Sequence, residues 1–304
     1  MTRHLLTIGA LSRDELLEVL DLATAPLDAA LYEDEPVALV FEHPSLRTRA
    51  AATVAVHQLG GWPVEFTGDE IGLDARESAE DVARTLAETF AVAALRVRRH
   101  GVLERIRAAT DGRLAVVNLL SDAAHPTQAV ADVLTIAEAH AGGDVRALGG
   151  LRVGYVGDAT NVTRSLAVAL GRLGASVVVG APPGYQLAPG GPEDPTDSGA
   201  LVRLVEDPRE AARGADVLYT DTWVSMGVEA EARRRREDLA AYRVDEELVG
   251  LASERCVVLH CLPAHRGEEV TDAVLDSARS RVWRQVFHRR TAMLGVLAWL
   301  KGGE

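Results

Sequence analysis

The chain has 304 residues, 47% of them hydrophobic and 25% charged, with 32 lysines and arginines against 45 acidic side chains and a net charge of −13. That length suits two α/β domains with a sizeable buried core. The acidic balance excludes broad nucleic-acid binding and attraction to anionic membranes, so any anionic ligand needs a local basic pocket.

The first half alternates strand-like and helix-like runs. Residues 11–30 read as an amphipathic helix, with Ser12 as N-cap and Glu15 completing a capping box. Strands are expected at 37–41, 63–66, 92–97 and 114–119, and helices at 47–59, 78–90, 103–110 and 129–141. Glycines at 142, 143, 149 and 150 flank a boundary. A second series follows: strands at 151–156, 176–180, 216–219 and 257–260, and a helix at 163–173. The stretch 182–198 is rich in Pro and Gly and reads as a long loop, 229–239 as a charged helix with a solvated face, and 290–300 as a closing helix. The expected fold class is α/β: two doubly wound parallel-sheet domains, 1–142 and 150–304, with the active site in the cleft between them. The terminal helix, about 285–301, is expected to pack back on the first domain.

Lys301 is the only lysine, which excludes a P-loop or Schiff-base lysine in the body of the chain. Cys256 and Cys261 have no CxxC or His/Cys ligand set around them, so neither a disulfide framework nor structural zinc is expected. With no apolar leader and no apolar run of membrane-spanning length, a cytoplasmic location without a membrane segment is expected.

Open parallel sheets place ligands beyond the carboxyl ends of their strands. Six polar clusters fall there: Ser45-Leu46-Arg47-Thr48-Arg49, Arg96, His125-Pro126-Thr127-Gln128, Asp158 to Ser165, Asp221 to Gly227, and His260-Cys261-Leu262-Pro263. The first offers two guanidiniums and two hydroxyls at a helix N-terminus, a phosphate site by its N–H groups, dipole and Arg forks. A surface helix cap with incidental arginines is its plain alternative. Arg96 is otherwise one of several surface arginines, and His125 a helix cap or core histidine. Together His125 and Gln128 offer a donor to a carbonyl oxygen and an amide acceptor for an NH2 group, which suits a carbamoyl function. Asp221 and Ser225 around Trp223 either clamp an ammonium or form a structural turn. Gly154 and Gly157 alone do not make a dinucleotide loop. Cys261 reads as too apolar in setting to be a lone nucleophile.

Taken together, these residues resemble the aspartate/ornithine carbamoyltransferase family over nearly the whole chain. Ser45 to Arg49 looks like its Ser-Thr-Arg-Thr-Arg carbamoyl-phosphate loop and His125 to Gln128 like its His-Pro-x-Gln motif. Asp221-Thr222-Trp223-Val224-Ser225-Met226-Gly227 and His260-Cys261-Leu262-Pro263-Ala264-His265-Arg266-Gly267 resemble the ornithine branch. The resemblance implies transfer of a carbamoyl group from carbamoyl phosphate to the δ-amine of L-ornithine, giving citrulline and phosphate in arginine metabolism. It implies a homotrimer or multiple of trimers, with no cofactor and no metal. Ser45, Leu46, Arg47, Thr48, Arg96, His125, Gln128, Leu262 and Arg289 would hold carbamoyl phosphate. Thr48, Arg96, His125, Gln128 and Cys261 would serve the chemistry, and Asn161, Asp221, Ser225, Met226 and Cys261 would bind ornithine.

The sequence departs from the family pattern on the phosphate side. Leu46 replaces a threonine, Glu70 falls where ornithine enzymes present glutamine, Thr53 where a glutamate often stands, and Thr160 where an asparagine does. Phe287-His288-Arg289-Arg290-Thr291-Ala292 replaces a Glu-Asn-Arg-Leu-His-Ala run. A carboxylate at Glu70 would repel phosphate unless protonated or turned away. A second reading therefore keeps the reaction and changes the acceptor to an acylated ornithine, a diamine or another amine. A third is a catalytically weak binding or regulatory paralogue.

Overall fold

A computed structural model describes residues 2–26, 28–195, 199, 201–224 and 229–302. The chain divides into two compact units, Met1–Ala131 with Phe287–Glu304, and Asp132–Val286.

The first unit carries α1 (Arg13–Thr24), β1 (Pro36–Phe41), α2 (Leu46–Gln58), β2 (Trp62–Thr67), α3 (Gly68–Ile71), α4 (Ala79–Ala87), β3 (Val92–Arg96), α5 (His100–Ala108) and β4 (Ala115–Leu120). Helix α6 (Pro126–Ala141) begins in it. Its sheet is parallel throughout, in the order β2-β1-β3-β4. Val37, Ala38, Leu39 and Val40 of β1 and every residue of β3 are buried, the near-continuous apolar pattern of strands covered on both faces. Helix α4 starts on the Ser78 cap and turns Ala79, Val82, Ala83 and Leu86 inward. There they join Val40, Leu95 and Ile106 in one buried cluster.

The capping box of α1 forms, with Ser12 Oγ accepting from the Glu15 N–H and Glu15 accepting from the Ser12 N–H. The helix is shorter than the expected 11–30, ending at Thr24 just before Pro26.

The second unit carries β5 (Arg152–Val156), α7 (Asn161–Arg172), β6 (Ser176–Gly180), β7 (Leu201–Val205), α8 (Pro208–Ala212), β8 (Val217–Thr220), α9 (Ala232–Leu239), α10 (Glu246–Gly250), β9 (Val257–His260) and α11 (Asp272–Leu275). Its sheet is again all parallel, in the order β7-β6-β5-β8-β9. A β-carbon on Gly154 would lie 2.4 Å from the Ala211 carbonyl, so only glycine lets α8 approach β5 this closely.

The last helix, α12 (Val282–Lys301), passes from the second unit back into the first. There the Tyr32 hydroxyl donates to the Leu297 carbonyl, Arg3 donates to the Trp299 carbonyl, and Lys301 pairs with Glu35. A β-carbon on Gly295 would lie 2.5 Å from the Val19 carbonyl, which fixes α12 against α1.

Strand order reverses between β1 and β3 in one sheet and between β5 and β8 in the other. Such switch points open a crevice at the carboxyl ends of the flanking strands.

Candidate active site

In the first unit, Ser45 caps α2, its Oγ accepting from the Thr48 N–H at 3.3 Å. The helix N–H groups ahead of it are the kind that bind an anion. Arg47 is half-buried and has no ion-pair partner among the described residues. Arg49 does not join it: its Nε lies 3.0 Å from Glu65 and its guanidinium stacks over Phe41. The expectation of two guanidiniums at this site is therefore corrected to one. An edge-strand carboxylate and an aromatic face capture the second.

Thr48 is buried, and its hydroxyl accepts from Arg289 at 2.7 Å. A narrow cleft lined by Thr48, Ala51, Leu119, Thr127 and Arg289 opens beside this pair. Arg96 is the last residue of β3, where the register against β4 shifts so that Leu95 faces Asn118 and Arg96 faces Leu120. His125 and Gln128 are buried at the start of α6. Burial, then the charges of Arg289 and Arg96, hold the His125 imidazole far below its ordinary pKa, so it is neutral at physiological pH. Two buried guanidiniums near a neutral ring are costly in a ligand-free protein. They make a local basic patch in an otherwise acidic chain.

Two departures have structural accounts. Glu70 accepts from the Thr67 N–H and hydroxyl, which lower its pKa; the carboxylate is charged and capping α3. Thr53 donates to Glu65 at 2.7 Å.

In the second unit, Thr160 caps α7 by accepting from the Val162 N–H, so a threonine serves the helix where the family carries asparagine. Asn161 follows at the first helical position, its Oδ1 also accepting from Val162. Asp221 lies just beyond β8 and is buried; its Oδ1 accepts from the Thr222 N–H at 2.7 Å and from the Cys261 thiol at 2.8 Å. Cys261 thus has a polar partner, which corrects the apolar setting expected for it. Leu262 sits at φ +61°, in the left-handed region that costs a branched side chain strain, and its N–H donates to His260 Nδ1 at 2.8 Å. Ser225 and Met226 lie outside the described residues.

The solvated face expected for 229–239 holds for Arg233 and Arg234 but not for Arg235. Its side chain is 13% exposed, packs over Tyr185, and donates to Asp158 at 2.6 Å and to the Trp223 carbonyl at 3.1 Å. Burial pushes Asp158 up to about 6 against the opposing pull of Arg235. Sequence reading missed this pair, and also Glu269, whose buried carboxylate bonds His260 Nε2 at 3.1 Å. A single charged helix gives no sign of which arginine turns inward.

Asp221, His260 and Cys261 bring ligand-type atoms within 4.8 Å of one another, as do His265, Glu268 and Glu269. Both ring nitrogens of His260 and the thiol are already hydrogen-bonded, and Glu268 pairs with Arg236. A metal ion at either place has to displace those partners.

The family model of the carbamoyl-P binding domain of aspartate/ornithine carbamoyltransferases matches residues 3–138, and that of the Asp/Orn binding domain matches residues 149–300. The chain belongs to the aspartate/ornithine carbamoyltransferase family. It is 44% identical over 319 residues to an ornithine carbamoyltransferase of Acidothermus cellulolyticus, covering 100% of this chain and 99% of that protein. Among solved structures, ornithine carbamoyltransferase from Pyrococcus furiosus superposes with a TM-score of 0.90 at 37% identity, covering 100% of this chain and 98% of that one. A variant N-acetyl-L-ornithine transcarbamylase complexed with PALAO superposes with a TM-score of 0.85 at 26% identity, over 98% and 99% of the two chains. That neighbour is named for an acylated ornithine. No helix among the described residues is long and apolar enough to cross a membrane.

The buried and half-buried imidazoles carry a stability consequence. Burial lowers the pKa of His125, and also those of His4, His100 and His140, below the ordinary 6.5. In acid the unfolded chain takes up protons that these folded rings refuse, so their contribution is constant above about pH 6.5 and turns destabilising below it. Asp158, raised to about 6, works in the opposite direction. The thermal midpoint is expected to fall between about pH 7 and pH 5.5, and His125→Gln to fall less steeply, in paired melting curves. Equal slopes would assign the acid loss to other groups.

Proposed function

We propose that this protein transfers the carbamoyl group of carbamoyl phosphate to the δ-amine of L-ornithine, giving L-citrulline and phosphate. Residues 1–142 form the carbamoyl-phosphate domain and 150–304 the amino-acid domain, with the terminal helix returning Arg289 to the first. The observation carrying the reading is the cationic pocket of Arg96 and Arg289 around a neutral His125, at the switch point where α2 presents its N-terminus.

In the reaction, Ser45, the α2 N–H groups, Arg47 and Arg289 hold the phosphate. Arg96, the Thr48 hydroxyl and one His125 N–H point at the carbonyl oxygen. Gln128 and the Leu262 carbonyl hold the carbamoyl NH2. Asn161, Asp221, Ser225 and Met226 bind the α-amino and α-carboxylate groups, with Cys261 beside the δ-amine. The uncharged amine attacks the carbonyl carbon and forms the C–N bond. The oxyanion is stabilised by donors fixed before the reaction, the C–O bond to phosphate then breaks, and phosphate leaves with the amine's proton. The reading includes a cytoplasmic homotrimer, and exposed Val54 and Trp62 on α2 and β2 supply apolar surface for it.

The test is carbamoylation of ornithine, N-acetylornithine, lysine and putrescine by the purified protein. Ornithine turning over fastest is expected; preference for an acylated ornithine or diamine would move the assignment to the second reading. Carbamoyl phosphate bound in calorimetry but never turned over would leave only a binding protein.

Leu46 is 78% exposed at the first position of α2, so its side chain packs on nothing that a threonine would lose. Leu46→Thr restores a hydroxyl for one charge-assisted hydrogen bond to the phosphate, worth about 1.5 kcal/mol. The KM for carbamoyl phosphate is expected to fall about tenfold on that ground. An unchanged KM would show that position 46 faces away from the phosphate.

A further inference from the structure

Gln285, in the first turn of α12, takes no part in the proposed chemistry, yet it is only 1% exposed. Its Nε2 donates to Asp132 Oδ1 at 2.6 Å and to the Tyr219 hydroxyl at 3.0 Å, and its Oε1 accepts from the His260 backbone N–H at 3.0 Å. The Tyr219 hydroxyl in turn donates to Asp132 Oδ2 at 3.1 Å, closing a triangle of side chains. Asp132 is fully buried, as is Tyr219.

The positions of these partners matter. Tyr219 lies two residues before Asp221, and His260 immediately before Cys261. They sit at the carboxyl ends of neighbouring strands, with Tyr219 opposite Leu259 and Thr220 opposite His260. Strand β9 is at the sheet edge, so the outward N–H of His260 has no further strand to bond. Gln285 takes that N–H with its carbonyl while its amide grips the neighbouring strand and Asp132. One side chain thus joins both strand ends to a buried carboxylate, at the point where they release Asp221 and Cys261.

We propose that Gln285 is a positioning residue that sets the contact between Asp221 and Cys261. The kinetic part of this inference rests on the ornithine reading; the thiol part does not. Gln285→Leu removes the acceptor of the His260 N–H and one of the donors to Asp132, and the two strand ends relax independently. A misplacement of about an ångström costs about a hundredfold in rate. The exchange Asp132→Asn with Gln285→Glu reverses the polarity of the contact at nearly constant volume. The new amide donates to the new carboxylate, which still accepts from His260 and Tyr219.

Two measurements test this. With ornithine as acceptor, kcat/KM for ornithine is expected to fall about a hundredfold in Gln285→Leu with KM for carbamoyl phosphate little changed, and to recover most of the loss in the exchanged pair. Without substrate, in a Cys256→Ser background, iodoacetamide is expected to alkylate Cys261 several-fold faster in Gln285→Leu than in the parent, with the exchanged pair restoring the parent rate. Unchanged alkylation in Gln285→Leu would overturn the inference, as would an exchanged pair as impaired as Gln285→Leu. An altered thiol rate in a protein that never carbamoylates ornithine would overturn the ornithine reading and leave the positioning role standing.

Discussion

Replacing Arg96 by leucine is expected to lower kcat/KM for carbamoyl phosphate by about 10²- to 10³-fold, the loss typical of removing one oxyanion donor. The thermal midpoint of the ligand-free protein is expected to stay level or rise. Both outcomes have one cause. Arg96 is buried at the end of β3, and its charge and that of Arg289 both depress the pKa of His125. In the free protein both desolvated cations act on the same buried ring, and an apolar side chain at position 96 removes one of those desolvation costs. In the proposed reaction the same charge faces the developing oxyanion, where a preorganised donor acts most strongly. Arg96→Lys separates the contributions, because it keeps the charge and loses the planar fork. An intermediate rate for lysine is expected; a lysine variant as slow as leucine would assign the effect to geometry alone. Leucine activity within about threefold of the parent would remove Arg96 from the oxyanion site.

The groups at the strand ends are legible in the sequence because each sits in a contiguous motif, and a parallel sheet brings its carboxyl ends together whatever lies between them. Strand β7 was not. Leu201-Val202-Arg203-Leu204-Val205 is an edge strand with only its last residue buried, so it lacks the apolar run that marked its neighbours. Helices α3, α8, α10 and α11 have four or five residues each, too few for helical periodicity to register. The side chains that hold the site are the other gap. Arg235 reaches Asp158 across 77 residues, and Gln285 reaches Asp132 across 153. No local pattern encodes a partner that far away. Glu70 shows a similar limit: a letter that looked like a charge aimed at phosphate is a capping-box residue of a short helix.

On the acceptor side, Asp221→Ala is expected to lower kcat/KM for ornithine by about three orders of magnitude, and Asp221→Asn by about two, with KM for carbamoyl phosphate nearly unchanged in both. The Asp221 carboxylate accepts two hydrogen bonds within its own unit, from the Thr222 N–H and the Cys261 thiol. Asparagine keeps a carbonyl oxygen for both and loses only the charge. Alanine loses charge and acceptor, and strands a buried N–H and thiol. The step from aspartate to asparagine therefore reads the charge-assisted bond to the ammonium of the amino acid, and about two decades corresponds to the upper part of the 1.5–3 kcal/mol expected for such a bond. The further step to alanine reads the local scaffold, about one decade or 1.4 kcal/mol for two lost acceptor contacts. Cys261→Ser distinguishes scaffold from chemistry, since a hydroxyl can still donate to Asp221 while presenting a different group to the amine. If Asp221→Asn matched the parent, the ammonium would have to be held elsewhere. Asp158 is a second buried carboxylate of this unit within two residues of a strand's carboxyl end, but Arg235 already occupies it. That competition is why the acceptor's positive charge is assigned to Asp221: of the two carboxylates, it is the one whose described partners are neutral donors.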